Sequence, residues 1–125
     1  MEIQEIHHIF DTEFSAHKHK FEFIDLIGIN IRDKQEPRVA RPGVYVFWKD
    51  GKVIKVGKSL SNARKRALEH FRDNTGKTMA DLNGDPTLHL LLFTVQKRED
   101  EHWVIALEDF FEWKLKPEIP ADRRC

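Results

Sequence analysis

The chain has 125 residues, a length that suits one domain with a single hydrophobic core and leaves little room for a second. Its 21 basic and 21 acidic residues cancel, which argues against a protein that coats nucleic acid by charge alone. The one cysteine, Cys125, is the last residue, so it excludes an internal disulfide and a cysteine-based zinc site, and a reducing, cytoplasmic setting fits.

At the N-terminus, Met1-Glu2-Ile3-Gln4-Glu5 lacks the basic start and apolar core of a secretory signal. No apolar run approaches the ~18 to 20 residues that span a bilayer. Residues 1–40 read as an N-terminal extension with two open patterns. Phe21, Phe23, Ile27, Ile29 and Ile31 alternate like a strand, whereas Phe23, Ile24, Ile27 and Ile31 suit a helix face, and Gly28 interrupts both. Four of the seven histidines (His7, His8, His17, His19) fall here and read as solvated groups or adventitious metal traps. The polar stretch 33–41, with Pro37 and Pro42 near its ends, connects to the core domain.

Val44 to Trp48 and Val53, Ile54 and Val56 are β-formers, and Lys49-Asp50-Gly51 between them is a turn signal, so a hairpin is predicted. A two-residue Asp50-Gly51 turn would set Tyr45 opposite Val56 and leave Tyr45 and Lys55 on different faces. A three-residue loop with Gly51 left-handed would pair Val44 with Val56, Val46 with Ile54 and Tyr45 with Lys55, separating apolar from polar. The second register is the more consistent, and it also sets Gly43 opposite Gly57, where another backbone or a substrate could come close.

Next, Ser61 can cap a helix running to about residue 73, with Leu60, Ala63, Ala67 and Phe71 as its buried stripe. Arg66 and His70 fall together on one flank of that stripe. Residues 74–77 end the helix, and residues 87–95 read as a buried strand. A last helix from about residue 99 to 116, stopped by Pro117, carries Trp103, Val104, Leu107, Phe110 and Phe111 on its apolar side. Glu101, Glu108 and Glu112 border that side in one stripe.

The ordered set Gly43-Val44-Tyr45, Lys55-Val56-Gly57, Arg66, His70 and Glu108 resembles the GIY-YIG nuclease superfamily over roughly residues 41–120. Lys55 stands where the family usually has the second tyrosine. Arg66 and His70 match an arginine and a histidine four residues later on the helix after the hairpin, and Glu108 lies nine residues before Pro117, as the family's metal-binding glutamate does. One departure is Pro120, three residues on, which cannot supply the amide side chain of the asparagine commonly found there.

The resemblance implies an α+β fold, a small antiparallel three-stranded sheet flanked by helices, with residues 1–40 outside it and a C-terminal tail at 121–125. It also implies a metal-dependent endonuclease that hydrolyses DNA phosphodiesters in repair, restriction or mobile-element biology. Tyr45 would orient or deprotonate the attacking water, with Lys55 assisting and His70 polarising the water or Tyr45. Arg66 would brace the phosphate, and Glu108 would hold one Mg²⁺ or Mn²⁺. Residues 49–72 hold eight cations against Asp50 and Glu69, so Lys52, Lys58, Arg64, Lys65 and Arg72 are candidate DNA-binding residues around the site. Two other classes compete: a nucleic-acid-binding module of the same fold without catalysis, favoured by Lys55 and Pro120, and an interaction domain whose last helix (Trp103, Phe110, Phe111, Trp113) forms a homodimer surface.

Overall fold

In the N-terminal extension the alternating pattern prevails: Phe21–Ile27 is a strand, β1. Gly28, with φ of +57°, ends it, and the short helix α2 (Asn30–Asp33) takes Ile31 away from the strand pattern. The sequence patterns left a further element unread, helix α1 (Ile3–Glu13), whose N-terminus is closed by a reciprocal capping box between Glu2 and Glu5. The computed structural model describes residues 1–121; Cys125 and the tail from residue 122 on lie outside the described residues.

Three more strands, β2 (Gly43–Lys49), β3 (Lys52–Ser59) and β4 (His89–Val95), complete an antiparallel sheet in the order β1-β4-β2-β3. The sheet therefore has four strands and not the three expected, because the extension contributes β1 to the free side of β4. Two further helices cover its faces. Helix α3 (Ala63–Asp73) is capped by Asn62, one residue after the expected Ser61, with Asn62 Oδ1 accepting from the Lys65 amide at 3.0 Å. Helix α4 (Glu101–Leu115) follows one tight 3₁₀ turn at Arg98–Asp100 and stops at Lys116, which is left-handed just before Pro117.

Both sheet faces are packed, so each central strand is apolar on both sides. On one face α1 and α4 meet Val44, Val46, Val56, Leu91 and Phe93, with Phe10 and Phe111 against the Phe93 ring at 5.0 and 5.2 Å between centroids. On the other, Ala63, Ala67 and Phe71 of α3 meet Tyr45, Phe47, Leu90 and Leu92. Leu60, expected at the head of the α3 stripe, stays exposed because it precedes the helix.

The hairpin register differs from the expected one. Asp50 and Gly51 both have positive φ (50° and 81°), the signature of a two-residue type I′ turn, for which Asp-Gly is well suited. Lys49 then pairs with Lys52 and Trp48 with Val53, but the register shifts by one between Trp48 and Phe47, so that Phe47 faces Lys55 and Tyr45 faces Gly57. Ile54 is the inserted residue of a β-bulge. Tyr45 is thus not directly opposite Lys55, and Gly43 pairs with Ser59 in place of Gly57. The expected shared face survives by another route: the bulge turns Ile54 and Lys55 to the same side of the sheet, that of Tyr45 and Phe47.

Past α4 the chain returns along β3. The Glu118 amide donates to the Val53 carbonyl at 3.1 Å and the Ile119 amide to the Ile54 carbonyl at 2.9 Å, covering the first half of the edge strand.

Because Ile6 is completely buried between α1 and the sheet, Ile6→Ala should cost about 2 to 5 kcal/mol, read from the urea midpoint with an unchanged slope. A loss below ~1 kcal/mol would show that α1 does not belong to the core.

Candidate active site

At the uncovered second half of β3 a pocket of about 600 Å³ brings together Tyr45, Lys55, Arg66, His70 and Glu108, all five residues of the ordered set. They come from both layers. Tyr45 and Lys55 stand on the face covered by α3, which supplies Arg66 and His70, whereas Glu108 comes from α4 on the opposite face and reaches the pocket at the sheet edge.

Gly57 makes this junction possible. A Cβ built on it would run into the Tyr45 phenol ring, so the tyrosine can lie across the edge strand only where the strand has no side chain. Gly43 has a different task, since a Cβ there would strike the Phe93 and Thr94 backbone of β4. The two glycines therefore admit neighbours already within the fold.

The Tyr45 hydroxyl lies 2.6 Å from His70 Nε2, and His70 Nδ1 lies 2.6 Å from the Thr75 hydroxyl. This gives a continuous chain of three polar groups, with Tyr45 2 % and His70 5 % exposed. Burial lowers the His70 pKa to about 4, helped by the nearby positive charges of Lys55 and Arg66, so the ring is neutral at pH 7. Burial raises the Tyr45 pKa well above the usual phenol range, against the opposing charge of Arg66 and with support from Glu108 and Glu69, so the phenol keeps its proton.

Glu108 is 4 % exposed, and one of its oxygens lies 3.7 Å from the Lys58 ammonium. It lies apart from the expected neighbours on its stripe. Glu112 turns away to accept the Ala121 amide at 2.6 Å, and Glu101 pairs with Arg98. Arg66 extends along α3 to Glu69 at 3.0 Å with its side chain 45 % exposed. For a divalent cation the donor set is one nearly buried carboxylate facing a pocket wide enough for water. Among the described residues no group of three or more His, Cys, Asp or Glu converges on one point. Such a set fits Mg²⁺ or Mn²⁺, which keep several waters and accept substrate oxygens, and fits poorly an ion that needs a full cage of protein ligands.

The basic segment changes character in three dimensions. Lys49 pairs with Asp85, Lys52 with Glu118, Lys58 with Glu108, Arg66 with Glu69 and Arg72 with Asp73. Arg64 donates to the Lys34 carbonyl at 2.7 Å, and Lys65 is exposed. Carboxylates distant in sequence thus offset much of the local excess, and of the five candidate DNA-binding residues only Lys58 lines the pocket. The aromatic surface expected on α4 is largely consumed inside the chain. Trp103 stacks on His17 at 3.8 Å, Phe110 packs on Phe14 and Phe111 on Phe93, leaving Trp113 as the exposed one, so a homodimer surface is not supported.

Two contributors to the pocket lie outside the five candidate residues. Thr75 enters because Asn74 ends α3 in a left-handed conformation and turns the chain back towards His70. Ile119, Pro120 and Ala121 form a wall because the C-terminal segment runs beside β3, with Ile119 seated where Gly76 has no side chain.

Three solved structures share this architecture. The GIY-YIG N-terminal endonuclease domain of UvrC from Thermotoga maritima, bound to magnesium as its catalytic divalent cation, superposes with a TM-score of 0.51 at 24% identity. The match covers 74% of this chain and 98% of that one. The fold is that of a GIY-YIG endonuclease domain. A tyrosine-to-phenylalanine point mutant of the same domain, also bound to its catalytic cation, gives a TM-score of 0.51 at 25% identity over 74% of this chain and 97% of its own. No protein-family model and no curated protein matches the sequence.

The buried His70 sets a pH dependence whose sign follows from proton counting. Between its ordinary pKa of 6.5 and the depressed value of about 4, the unfolded chain binds a proton that the folded ring refuses. The associated stability is complete above pH 6.5 and is lost as pH falls towards 4. Denaturant titrations of wild type and His70→Gln between about pH 7 and pH 4 should show the steeper loss in wild type. Equal slopes would mean that His70 titrates normally.

Proposed function

We propose that the chain is a metal-dependent endonuclease acting on DNA phosphodiesters, with Tyr45, Lys55, Arg66, His70 and Glu108 as its working groups. The observation that carries this reading is the Tyr45 to His70 hydrogen bond in the same pocket as a nearly buried glutamate, at the place where the fold leaves the edge strand open. The magnesium bound by the similar UvrC domain supports Mg²⁺, or Mn²⁺, as the ion.

Hydrolysis forms a bond from water oxygen to phosphorus and breaks one from phosphorus to the leaving oxygen, so the attacking water must lose a proton. The Tyr45 phenol keeps its own proton at neutral pH and cannot act as a standing phenolate. It can take the water proton only while passing its own to Nε2 of His70, which is neutral and within 2.6 Å. Arrival of an anionic phosphate offsets the Lys55 and Arg66 charges that depress the His70 pKa, so substrate itself makes the ring a better acceptor. Lys55 and Arg66 supply positive charge to the phosphate as a fifth oxygen gathers on phosphorus. The planar fork of Arg66 suits two oxygens once it leaves Glu69. Glu108 would hold the metal, taking it in place of the Lys58 ammonium, and the ion when bound would polarise the phosphate and stabilise the charge that develops on it. Repair, restriction or mobile-element DNA in the cytoplasm would be the setting, with Lys52, Lys58, Arg64, Lys65 and Arg72 contacting the backbone around the core domain.

Cleavage of plasmid and branched DNA with Mg²⁺, Mn²⁺ or EDTA tests the reading. Glu108→Gln should lower the rate by about a thousandfold or more while DNA is still bound, and Arg66→Ala should remove on the order of 3 kcal/mol of transition-state stabilisation. Wild-type protein that binds DNA but cuts none of these substrates with either ion would leave a binding module.

Paired cations predict modest affinity with a clear salt dependence. Because Lys52, Lys58 and Arg72 already have carboxylate partners, the slope of log affinity against log salt should correspond to only a few phosphates. Fluorescence anisotropy on a short duplex reads this directly, and binding indifferent to salt would argue against a nucleic-acid partner.

A further inference from the structure

Both nitrogens of His70 have a partner at 2.6 Å, the Tyr45 hydroxyl at Nε2 and the Thr75 hydroxyl at Nδ1. A neutral imidazole carries one proton, so only two arrangements satisfy both contacts. In the first, Nδ1–H donates to Thr75 and Nε2 accepts from Tyr45. In the second, Thr75 donates to Nδ1, Nε2–H donates to Tyr45, and Nε2 has no lone pair left for a proton. A phenol is a far stronger acid than an aliphatic alcohol, so the better hydrogen bond to an imidazole lone pair comes from Tyr45. This favours the first arrangement.

Resting on the nuclease reading of this site, we propose that Thr75 is a positioning residue, whose hydroxyl accepts the Nδ1 proton of His70 and thereby keeps Nε2 open to take the Tyr45 proton. The logic is that of a base oriented by a third group, here with a neutral hydroxyl in the orienting place. The backbone is built for it. Asn74 has φ of 48° and ψ of 48°, its amide donates to the carbonyls of His70 and Phe71, and its side-chain oxygen accepts the Ala80 amide at 2.9 Å. Thr75 is therefore held between a fixed helix end and a fixed loop. Gly76, with φ of +66°, is packed by the Ile119 side chain from the other side. His70 also faces the charges of Lys55 on β3 and of Arg66, Glu69 and Asp73 on α3, none of which supplies an acceptor to Nδ1 in place of Thr75.

The experiment reads the ring proton and the rate separately. In protein labelled with ¹⁵N-histidine, long-range proton–nitrogen correlation spectra report which ring nitrogen of His70 is protonated. Wild type should show the proton on Nδ1. Thr75→Val, similar in shape but without the hydroxyl, should shift the ring towards the Nε2–H form and lower kcat about tenfold to a hundredfold with KM for duplex DNA little changed. Thr75→Ser should restore both the tautomer and kcat, which a merely packing role for the threonine methyl would not do. A wild-type His70 protonated at Nε2 overturns the assignment, as does a folded Thr75→Val with unchanged tautomer and kcat. The tautomer is measured without DNA, so a protein with Nδ1–H that cuts nothing refutes the nuclease reading and leaves the Thr75 hydrogen bond standing, whereas a cutting protein with Nε2–H does the reverse.

Discussion

Side chains along a strand alternate between faces, and the single break in that alternation, the extra residue Ile54 in β3, is the constraint from which the candidate site follows. Without it, the type I′ turn at Asp50-Gly51 would send Tyr45 and Lys55 to opposite sides of a sheet that is buried on both. With it, the hairpin keeps its preferred turn and still aligns Tyr45, Phe47 and Lys55 towards α3. The bulge also sets Gly57, and not a valine, opposite Tyr45, which lets the phenol ring cross the edge strand towards His70.

Position at an edge explains how a small domain draws the side chains of one pocket from both of its layers. Interior strands separate the helices on the two faces, but at β3 the sheet ends, and Glu108 of α4 can share a pocket with Arg66 and His70 of α3. The returning segment at Glu118 and Ile119 pairs with the first half of β3, satisfying its edge groups there, and so confines the open edge to the stretch where the pocket lies. Burial then acts on the two titratable rings of the pocket, disfavouring the charged form of each. The phenol and the imidazole are both neutral at rest, and they lie close enough for one proton to pass between them.

The charge pattern carries a related lesson about distance. A run of cations in sequence becomes a basic surface only if the fold brings no carboxylates to it. Here Asp85, Glu108 and Glu118 arrive from the loop before β4, from α4 and from the segment after it. Lys55, Lys58 and Arg66 line the pocket itself, so these cations of the segment lie at the candidate site and the others are distributed along β3, α3 and the hairpin.

Local sequence determined the hairpin, the helix after it and the long last helix ended by Pro117, because each of these depends on spacing within one or two elements, and the ordered motif resemblance singled out the five residues that share the pocket. Tertiary structure alone decided the rest. The register turned on a bulge whose position is set by packing on both faces of β3, which periodicity counted on one strand cannot resolve. The fourth strand emerged from a stretch in which strand and helix patterns overlapped, and pairing with β4 made the choice, whereas α1 lay in a stretch where neither pattern was read. Thr75 and the Ile119 wall joined the site through a left-handed turn and a returning chain end, contacts between residues whose types carry no chemical signature until the fold brings them against His70 and Gly76.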